Sequence, residues 1–217
     1  MEKKFERALL LCPAQYSLSN SLRSILGHMA GEVRYSDIRS AISSRIMKLN
    51  SQAFRLPYGV RKRWDRYFLE KVNEMILTQV EEFRPDLVMV YNSLYMVPET
   101  CRTVSSRSKL VFFMGDSPFY TPQNNYYLSC LPHADLILSP DSHWQQQMVT
   151  MGLEKTLYFV PGVDTSSYYR LTPENTQTGY GRSGVLYVGA CYLNSWGYKK
   201  AMLMNYFTRF DFRLYGN

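Results

Sequence analysis

The chain has 217 residues, 46% of them hydrophobic and 20% charged, which is enough apolar mass for a sizeable core. Its net charge of +7 favours acidic partners, namely phosphates, nucleic acid or an anionic membrane surface, without choosing among them. No apolar run approaches the ~20 residues of a membrane span, and the apolar run near the start is too short for a signal peptide. We therefore expect a cytoplasmic protein, soluble or peripheral at the inner face of the membrane.

Apolar periodicity predicts strands that alternate with helices along most of the chain. The predicted strands are residues 8–12, 32–38, 87–91, 109–114, 134–138 and 156–160. The predicted helices are residues 17–29, 60–83, 123–131 and 142–151, with another that begins near residue 97; residues 39–58 are ambiguous and favour a helix followed by a loop. Because the strands are apolar throughout, the pattern predicts an α/β, Rossmann-like fold with a parallel sheet covered by helices on both faces.

A second α/β pattern begins after the polar stretch 165–183. Residues 185–189, 199–207 and 210–215 predict one strand–helix–strand unit, which cannot bury both faces of its own sheet. This unit either packs on the first domain or belongs to a second domain that the chain only begins, and we favour the second reading. The predicted domains are 1–170 and 184–217, joined by a linker at 171–183.

In parallel α/β sheets, ligands bind beyond the carboxyl ends of the strands. The candidate substrate-binding residues are the polar residues that follow the predicted strands, namely Tyr16, Ser17, Asn92, Ser93, Ser117, Tyr120 and Asp141. The same residues also suit ordinary turns. Position alone therefore does not separate a binding role from a structural one.

Asp116 stands out because it follows the apolar run V-F-F-M-G at residues 111–115. The Ser117-Pro118 step after it restricts the turn, since the residue before a proline is pushed to extended geometry. A carboxylate at the mouth of a strand could act as a general base or bind a sugar hydroxyl. The alternative is an Asx-turn or helix N-cap, in which the carboxylate accepts from nearby N–H groups.

The predicted helix at 60–83 begins with the basic residues Arg61, Lys62, Arg63 and Arg66 and ends with two glutamates. This order is the reverse of what the helix dipole favours. It indicates an outside partner for the basic end, either anionic lipid or a phosphorylated ligand. The alternative is a solvated face.

Several classes of site are absent from the sequence. There is no G-x-G-x-x-G after the first strand, no P-loop and no nucleophile elbow. The four cysteines form no C-x-x-C pair and the three histidines lack metal-ligand spacing, so we expect reduced thiols and no metal site. Without a recognition helix or an RNA-binding motif, no nucleic-acid partner is expected.

Short motifs in the second half of the chain resemble the GT-B glycosyltransferases. Y-F-V-P-G-V-D at 158–164 resembles their interdomain signature, and G-V-L-Y-V-G-A at 184–190 and F-R-L-Y-G-N at 212–217 resemble the first two strands of their donor domain. D-S-P-F-Y at 116–120, together with 134–144, is similar to the CgeB-like spore-maturation glycosyltransferases.

The resemblance implies two Rossmann-like domains that face each other across a cleft. The parent reaction transfers a sugar from a nucleotide-diphosphate sugar to a hydroxyl of a glycan, a lipid-linked glycan or a protein, without a metal or other cofactor. Asp116 would lie in the cleft as the catalytic residue. The implied donor-binding residues are Gly162, Asp164, Gly189, Lys199 and Lys200.

Because the family's other donor-binding residues would lie beyond Asn217, we expect this chain to be inactive by itself. The alternative is a non-catalytic Rossmann-like binding module for an anionic ligand or a polysaccharide.

Overall fold

The computed structural model describes residues 3–13, 18–37, 43–52, 55–92, 95–120, 126–160, 162, 185–189 and 195–215. The chain divides into two compact units, Met1–Asp164 and Thr165–Asn217.

The first unit is built on a single parallel sheet. Its strands are β1 (Phe5–Leu11), β2 (Ala30–Ser36), β3 (Leu87–Tyr91), β4 (Lys109–Phe113), β5 (Leu136–Ser139) and β6 (Thr156–Tyr158). Its helices are α1 (Leu18–Met29), α2 (Ser44–Gln52), α3 (Tyr58–Phe83), α4 (Pro98–Ser105), α5 (Tyr126–Cys130) and α6 (Ser142–Thr150), with 3-10 turns at Pro118–Tyr120 and Leu131–His133. The six strands lie in the order β2-β1-β3-β4-β5-β6, and every neighbouring pair is parallel. The predicted Rossmann-like α/β class is confirmed.

Side chains alternate between two apolar cores, one on each face of the sheet. Leu9 and Leu11 of β1 join the core on the side of α3, α4 and α5. Ala8 and Leu10 of the same strand join the other core, to which α1 contributes Leu22 and Leu26. Both faces are therefore buried at the centre of the sheet, which explains why the strands are apolar at consecutive positions.

Helix α3 is much longer than the strands it crosses. Its 26 residues span about 39 Å, whereas the five residues of β3 span about 17 Å. Burial begins only at Phe68, and no residue from Tyr58 to Tyr67 is buried. The helix ends at Arg84, whose N–H still donates to the Val80 carbonyl and whose left-handed backbone (φ 49°) then turns the chain out of the helix. None of the described helices is both long and apolar enough to cross a membrane.

The described part of the second unit, residues 185–189 and 195–215, forms one strand–helix–strand motif. Strands β7 (Val185–Val188) and β8 (Phe212–Tyr215) are parallel neighbours, joined through α7 (Ser195–Phe207). Phe207 of α7 stacks on Phe212 with ring centroids 6.5 Å apart. Leu186 and Val188, which point away from that side of the sheet, are 58% and 71% exposed. One helix thus covers one face, as the sequence predicts for a unit of this size.

Two aspartates secure the amino ends of the central strands. The Asp86 carboxylate, just before β3, accepts hydrogen bonds from the backbone N–H groups of Glu6 and Arg7 in β1, each at 2.8 Å. Asp135, just before β5, accepts from the Leu110 N–H of β4 and from the Lys109 ammonium, each at 3.0 Å.

These contacts bear on the titration of Asp135. Burial alone raises the pKa of Asp135, but the Leu110 and Lys109 hydrogen bonds outweigh burial and lower it. Asp135 therefore stabilises the fold above the ordinary carboxyl range, and its contribution is lost as the pH falls through the lowered pKa.

We expect Asp86→Ala to lower the free energy of unfolding by about 1–3 kcal/mol, because two strand N–H groups lose a charged acceptor. Chemical denaturation would measure the change. Asp65→Ala, which removes an exposed carboxylate 3.6 Å from Arg61, is the matched control and should change stability by less than about 0.5 kcal/mol. Equal effects of the two substitutions would contradict the role of Asp86.

Candidate functional site

The strand order reverses between β1 and β3. From β1 the chain crosses to β2 on one side, whereas β3, β4, β5 and β6 follow each other on the opposite side. In open α/β sheets this reversal leaves a ligand-binding crevice outside the carboxyl ends of the two strands that flank it, here β1 and β3. Asn92 directly follows β3, and the loop with Asp116 follows the neighbouring strand β4.

Asn92 and Asp116 form a reciprocal pair at this edge. The Asn92 side-chain amide donates to Oδ2 of Asp116 at 2.5 Å, and the Asp116 backbone N–H donates to Oδ1 of Asn92 at 3.2 Å. Asp116 is exposed and Asn92 is half-buried. Within the described part of the chain, Oδ1 of Asp116 accepts no hydrogen bond, so the carboxylate retains capacity for a further partner.

The local turn does not account for the Asp116 carboxylate. Its hydrogen-bond partner lies 24 residues away, and the nearby Phe119 N–H donates instead to the Ser117 hydroxyl at 3.3 Å. Among the described residues, no neighbouring backbone N–H reaches the carboxylate. Neither an Asx-turn bond nor an N-cap bond to the Asp116 carboxylate is therefore found among the described residues. Ser117 is buried and takes that local role in place of Asp116.

Asn92 also has an unusual backbone. Its φ of 46° lies in the left-handed region, which Asn tolerates better than most residues. Its N–H donates to the Phe113 carbonyl at 3.0 Å and so continues the pairing of β3 with β4 beyond the strand ends. The turn and the strand pairing together aim the Asn92 side chain at the Asp116 loop.

Tyr91 and Gly115 fit together beneath the pair. A Cβ atom at Gly115 would overlap the Tyr91 hydroxyl and would lie 2.7 Å from the Tyr91 Cζ. The Tyr91 ring is held edge-on against Phe113, with centroids 5.5 Å apart. Sequence reasoning missed Tyr91, which it assigned only to the strand. The glycine at the end of the next strand is the signal that could have revealed the close approach.

A buried hydroxyl lies behind Asp116. Tyr127 of α5 is 1% exposed and packs edge-on against Phe112, with centroids 6.3 Å apart. Its hydroxyl has no hydrogen-bond partner among the described residues. Burial, and after it the negative charge of Asp116, raises the pKa of Tyr127. The phenol is therefore a neutral donor at physiological pH.

Asp141 has a structural partner in addition to its place at the carboxyl edge. Its backbone is extended and its Oδ1 accepts from the Trp144 N–H at 2.9 Å, which makes it the N-cap of α6. The fully buried Ser139 donates its hydroxyl proton to the Asp141 carbonyl at 2.8 Å. The structure thus explains Asp141 as a cap, one strand away from the Asn92–Asp116 pair.

The remaining predicted residues are placed as follows. Tyr16, Ser17, Ser93 and Asp164 lie outside the described residues, and of Tyr120 only the backbone, at the end of a 3-10 turn, is described. Gly162 follows β6 in the first unit, and a Cβ there would meet no atom within 4 Å.

Three predicted donor-binding residues belong to the second unit. Gly189 follows β7 and donates its N–H to the Tyr215 carbonyl at 2.9 Å, while a Cβ there would lie 2.7 Å from the Tyr187 hydroxyl. Lys199 and Lys200 are exposed residues of α7. All three therefore lie in a different unit from Asp116.

Cys12, at the end of β1, lies beside the crevice without being a nucleophile. Burial, and after it the charge of Asp37, raises the pKa of Cys12 to about 11. At neutral pH it is a thiol, the unreactive form. Among the described residues, no group of three His, Cys, Asp or Glu side chains is arranged to hold a metal ion.

A surface cavity of about 390 Å³ lies at the opposite, amino edge of the sheet, between Arg84 and Arg107. Both arginines follow the C-terminal ends of helices, where a positive charge complements the helix dipole. Their structural role is thus sufficient to explain them, and we place the candidate site at the carboxyl edge.

No family model matches this chain, and no curated protein or solved structure matches it. The fold and the site define its class without a family: an α/β protein with a six-stranded parallel sheet and a polar pair at the carboxyl ends of β3 and β4.

We expect Asn92→Gly to be more stable than Asn92→Ala by about 1 kcal/mol, because both lose the bonds to Asp116 but only alanine is strained at positive φ. Chemical denaturation would compare them. At the exposed helical position Arg102, the order should reverse, with glycine about 1 kcal/mol less stable than alanine. The same order at both positions would argue against the left-handed turn.

We expect Tyr127→Phe to leave the free energy of unfolding unchanged or to raise it by about 1 kcal/mol, because it removes a buried hydroxyl that lacks a partner. Thermal and chemical denaturation would measure the change. Tyr58→Phe, at a site that is 80% exposed, is the control and should have no effect. Destabilisation by Tyr127→Phe alone would show that the hydroxyl is bonded.

Proposed function

We propose that the first unit is the acceptor-side domain of a GT-B-like glycosyltransferase and that Asp116 is its general base. The observation that carries the proposal is the Asn92–Asp116 pair at the carboxyl edge of a parallel sheet, near the point between β1 and β3 where the strand order reverses. The likeness of residues 116–120, 158–164, 184–190 and 212–217 to GT-B motifs supports the same reaction class.

The pair suits a ligand rich in hydroxyl groups. One carboxylate oxygen accepts a hydroxyl proton while the free amide hydrogen of Asn92 donates to a neighbouring hydroxyl oxygen. Two half-buried aromatic residues add apolar surface: Tyr91, which directly precedes Asn92, and Phe119, which follows Asp116 by three residues. A few oriented polar groups among apolar walls are typical of small-molecule sites.

The proposed reaction needs one base and one leaving group. Asp116 accepts the proton of the acceptor hydroxyl as the acceptor oxygen attacks the anomeric carbon of the donor sugar. A carbon–oxygen bond forms there, and the bond between that carbon and the diphosphate oxygen breaks. The electron pair leaves with the nucleotide diphosphate, so atoms and charge balance without a metal or redox partner.

Asn92 is the positioning residue in this reaction. Its amide holds Oδ2 of Asp116 at 2.5 Å, which leaves Oδ1 as the oxygen that meets the acceptor. Because the Asn92 backbone is itself fixed to β4, the carboxylate keeps its direction without support from its own loop. A base held in one orientation reduces the reorganisation required in the transition state.

The leaving diphosphate needs positive charge. The resemblance assigns the binding of the diphosphate to the second unit, with Gly189 after β7 and the exposed lysines Lys199 and Lys200 in α7. Glycine lets a phosphate approach the backbone closely, and basic side chains stabilise developing negative charge.

In a version of the protein that is supplied with a complete donor domain, we expect Asp116→Asn to lower turnover by about 10²–10⁴-fold while acceptor binding changes little, because the amide keeps the shape but cannot take a proton. The assay incubates the protein with UDP- and GDP-sugars and a panel of oligosaccharide and lipid-linked acceptors, and follows release of the nucleotide diphosphate. Glu154→Gln, an exposed carboxyl-to-amide change before β6, is the matched control and should retain full turnover.

Two outcomes would overturn the proposed transferase activity. Turnover that survives Asp116→Asn would remove the proposed base. Oligosaccharide binding that needs Asp116 and Asn92 but never yields nucleotide diphosphate would instead identify a non-catalytic binding module. Calorimetric titration with the same oligosaccharides separates these cases, because binding is measured there without a donor sugar.

A further inference from the structure

The positive charge of this protein is concentrated in one segment. Residues 44–67, from α2 into the first turns of α3, contain seven Lys or Arg residues and a single acid, Asp65. That segment therefore has a net charge of +6 out of the +7 of the whole chain. The remainder of the molecule is close to neutral.

The same segment exposes large apolar side chains between its basic ones. Tyr58 is 80% exposed, Leu49 58% and Val60 53%, and the basic residues Lys62 and Arg63 beside them are exposed as well. We give the name basic–apolar projection to the exposed residues described in α2 and in Tyr58–Tyr67 of α3. Large apolar side chains exposed among basic ones are typical of an interaction surface.

Contacts of α3 show where the projection lies. Asn73 donates to the Tyr95 carbonyl at 2.8 Å and accepts from the Val97 N–H at 3.1 Å, and Phe68 packs edge-on against Tyr95. Tyr95 belongs to the loop that follows β3, at the carboxyl edge of the sheet. Since α3 runs from this edge back toward the start of β3, its residues before Phe68 project outward beyond the Asn92–Asp116 edge.

We propose that the basic–apolar projection binds an anionic lipid surface. Basic residues that alternate with exposed tyrosine and aliphatic side chains suit the boundary between headgroups and acyl chains, where both kinds of side chain are accommodated. Nucleic acid would satisfy the charge but would leave Leu49 and Val60 exposed. Bound in this way, the protein presents its carboxyl edge to substrates carried in the membrane.

The exposure of two basic residues makes a clean test available. Lys62 and Arg63 are both exposed on α3. Lys62→Glu/Arg63→Glu should therefore fold about as well as the original protein, and its unfolding curve measures whether it does. Lys3→Glu/Lys4→Glu makes the same change in charge before β1, at the opposite edge of the sheet, and is the matched control.

Flotation with vesicles would measure binding. We expect the full chain to bind vesicles of phosphatidylcholine with phosphatidylglycerol, to bind pure phosphatidylcholine weakly, and to be released by salt. Lys62→Glu/Arg63→Glu should weaken partitioning onto phosphatidylglycerol vesicles by about 30-fold or more, whereas the Lys3/Lys4 control stays within about threefold. Equal binding by the two double variants would overturn the proposal.

The apolar part requires its own variant. Tyr58→Ser removes no buried contact, and we expect it to weaken vesicle binding several-fold while leaving the unfolding curve unchanged. The protein could instead bind duplex DNA or RNA more tightly than vesicles at the same salt, with no effect of Tyr58→Ser. That result would overturn the proposed lipid binding in favour of nucleic-acid binding. Vesicle flotation tests lipid binding, and release of the nucleotide diphosphate tests sugar transfer. Either proposal can therefore be refuted without the other.

Discussion

The burial of both faces of β1, β3 and β4 is the constraint on which the rest of this structure depends. Residues 8–11, 87–90 and 110–113 are buried at every position, so a polar side chain within these runs would have to be satisfied in an apolar interior. Polar groups are therefore confined to the strand ends. At the amino ends they secure neighbouring strands, as Asp86 does, and at the carboxyl ends Asn92 and Asp116 are left facing solvent.

The parallel arrangement makes the two edges of the sheet chemically different. All carboxyl ends meet at one edge, and α3, which runs opposite to the strands, carries its basic first turns to that same edge. The amino edge holds the carboxylates of Asp86 and Asp135, both occupied by backbone N–H groups. Both proposed functions, sugar transfer and attachment to an anionic surface, thus concern the carboxyl edge.

The sequence predicts most of the fold because each strand is an uninterrupted apolar run. The α/β class is confirmed, while several boundaries differ. Strand β1 begins at Phe5 rather than Ala8, because pairing with β2 extends into polar residues that periodicity does not mark. Helix α7 begins at Ser195 rather than Lys199, and α3 at Tyr58 after Pro57, whose carbonyl accepts the first helical bonds. The GT-B resemblance stays a prediction, since no family model or known protein matches the chain.

By itself, the sequence determined that Asp116 stands at the mouth of a buried strand, because the apolar run before it leaves no other reading. Only the tertiary structure decided which residue holds the carboxylate. Asn92 is 24 residues away and reaches Asp116 because β3 and β4 are neighbours in the sheet, and because a left-handed turn redirects its side chain. Strand order follows from how the crossover helices pack, and local periodicity, which is set by residues a few positions apart, does not contain that information.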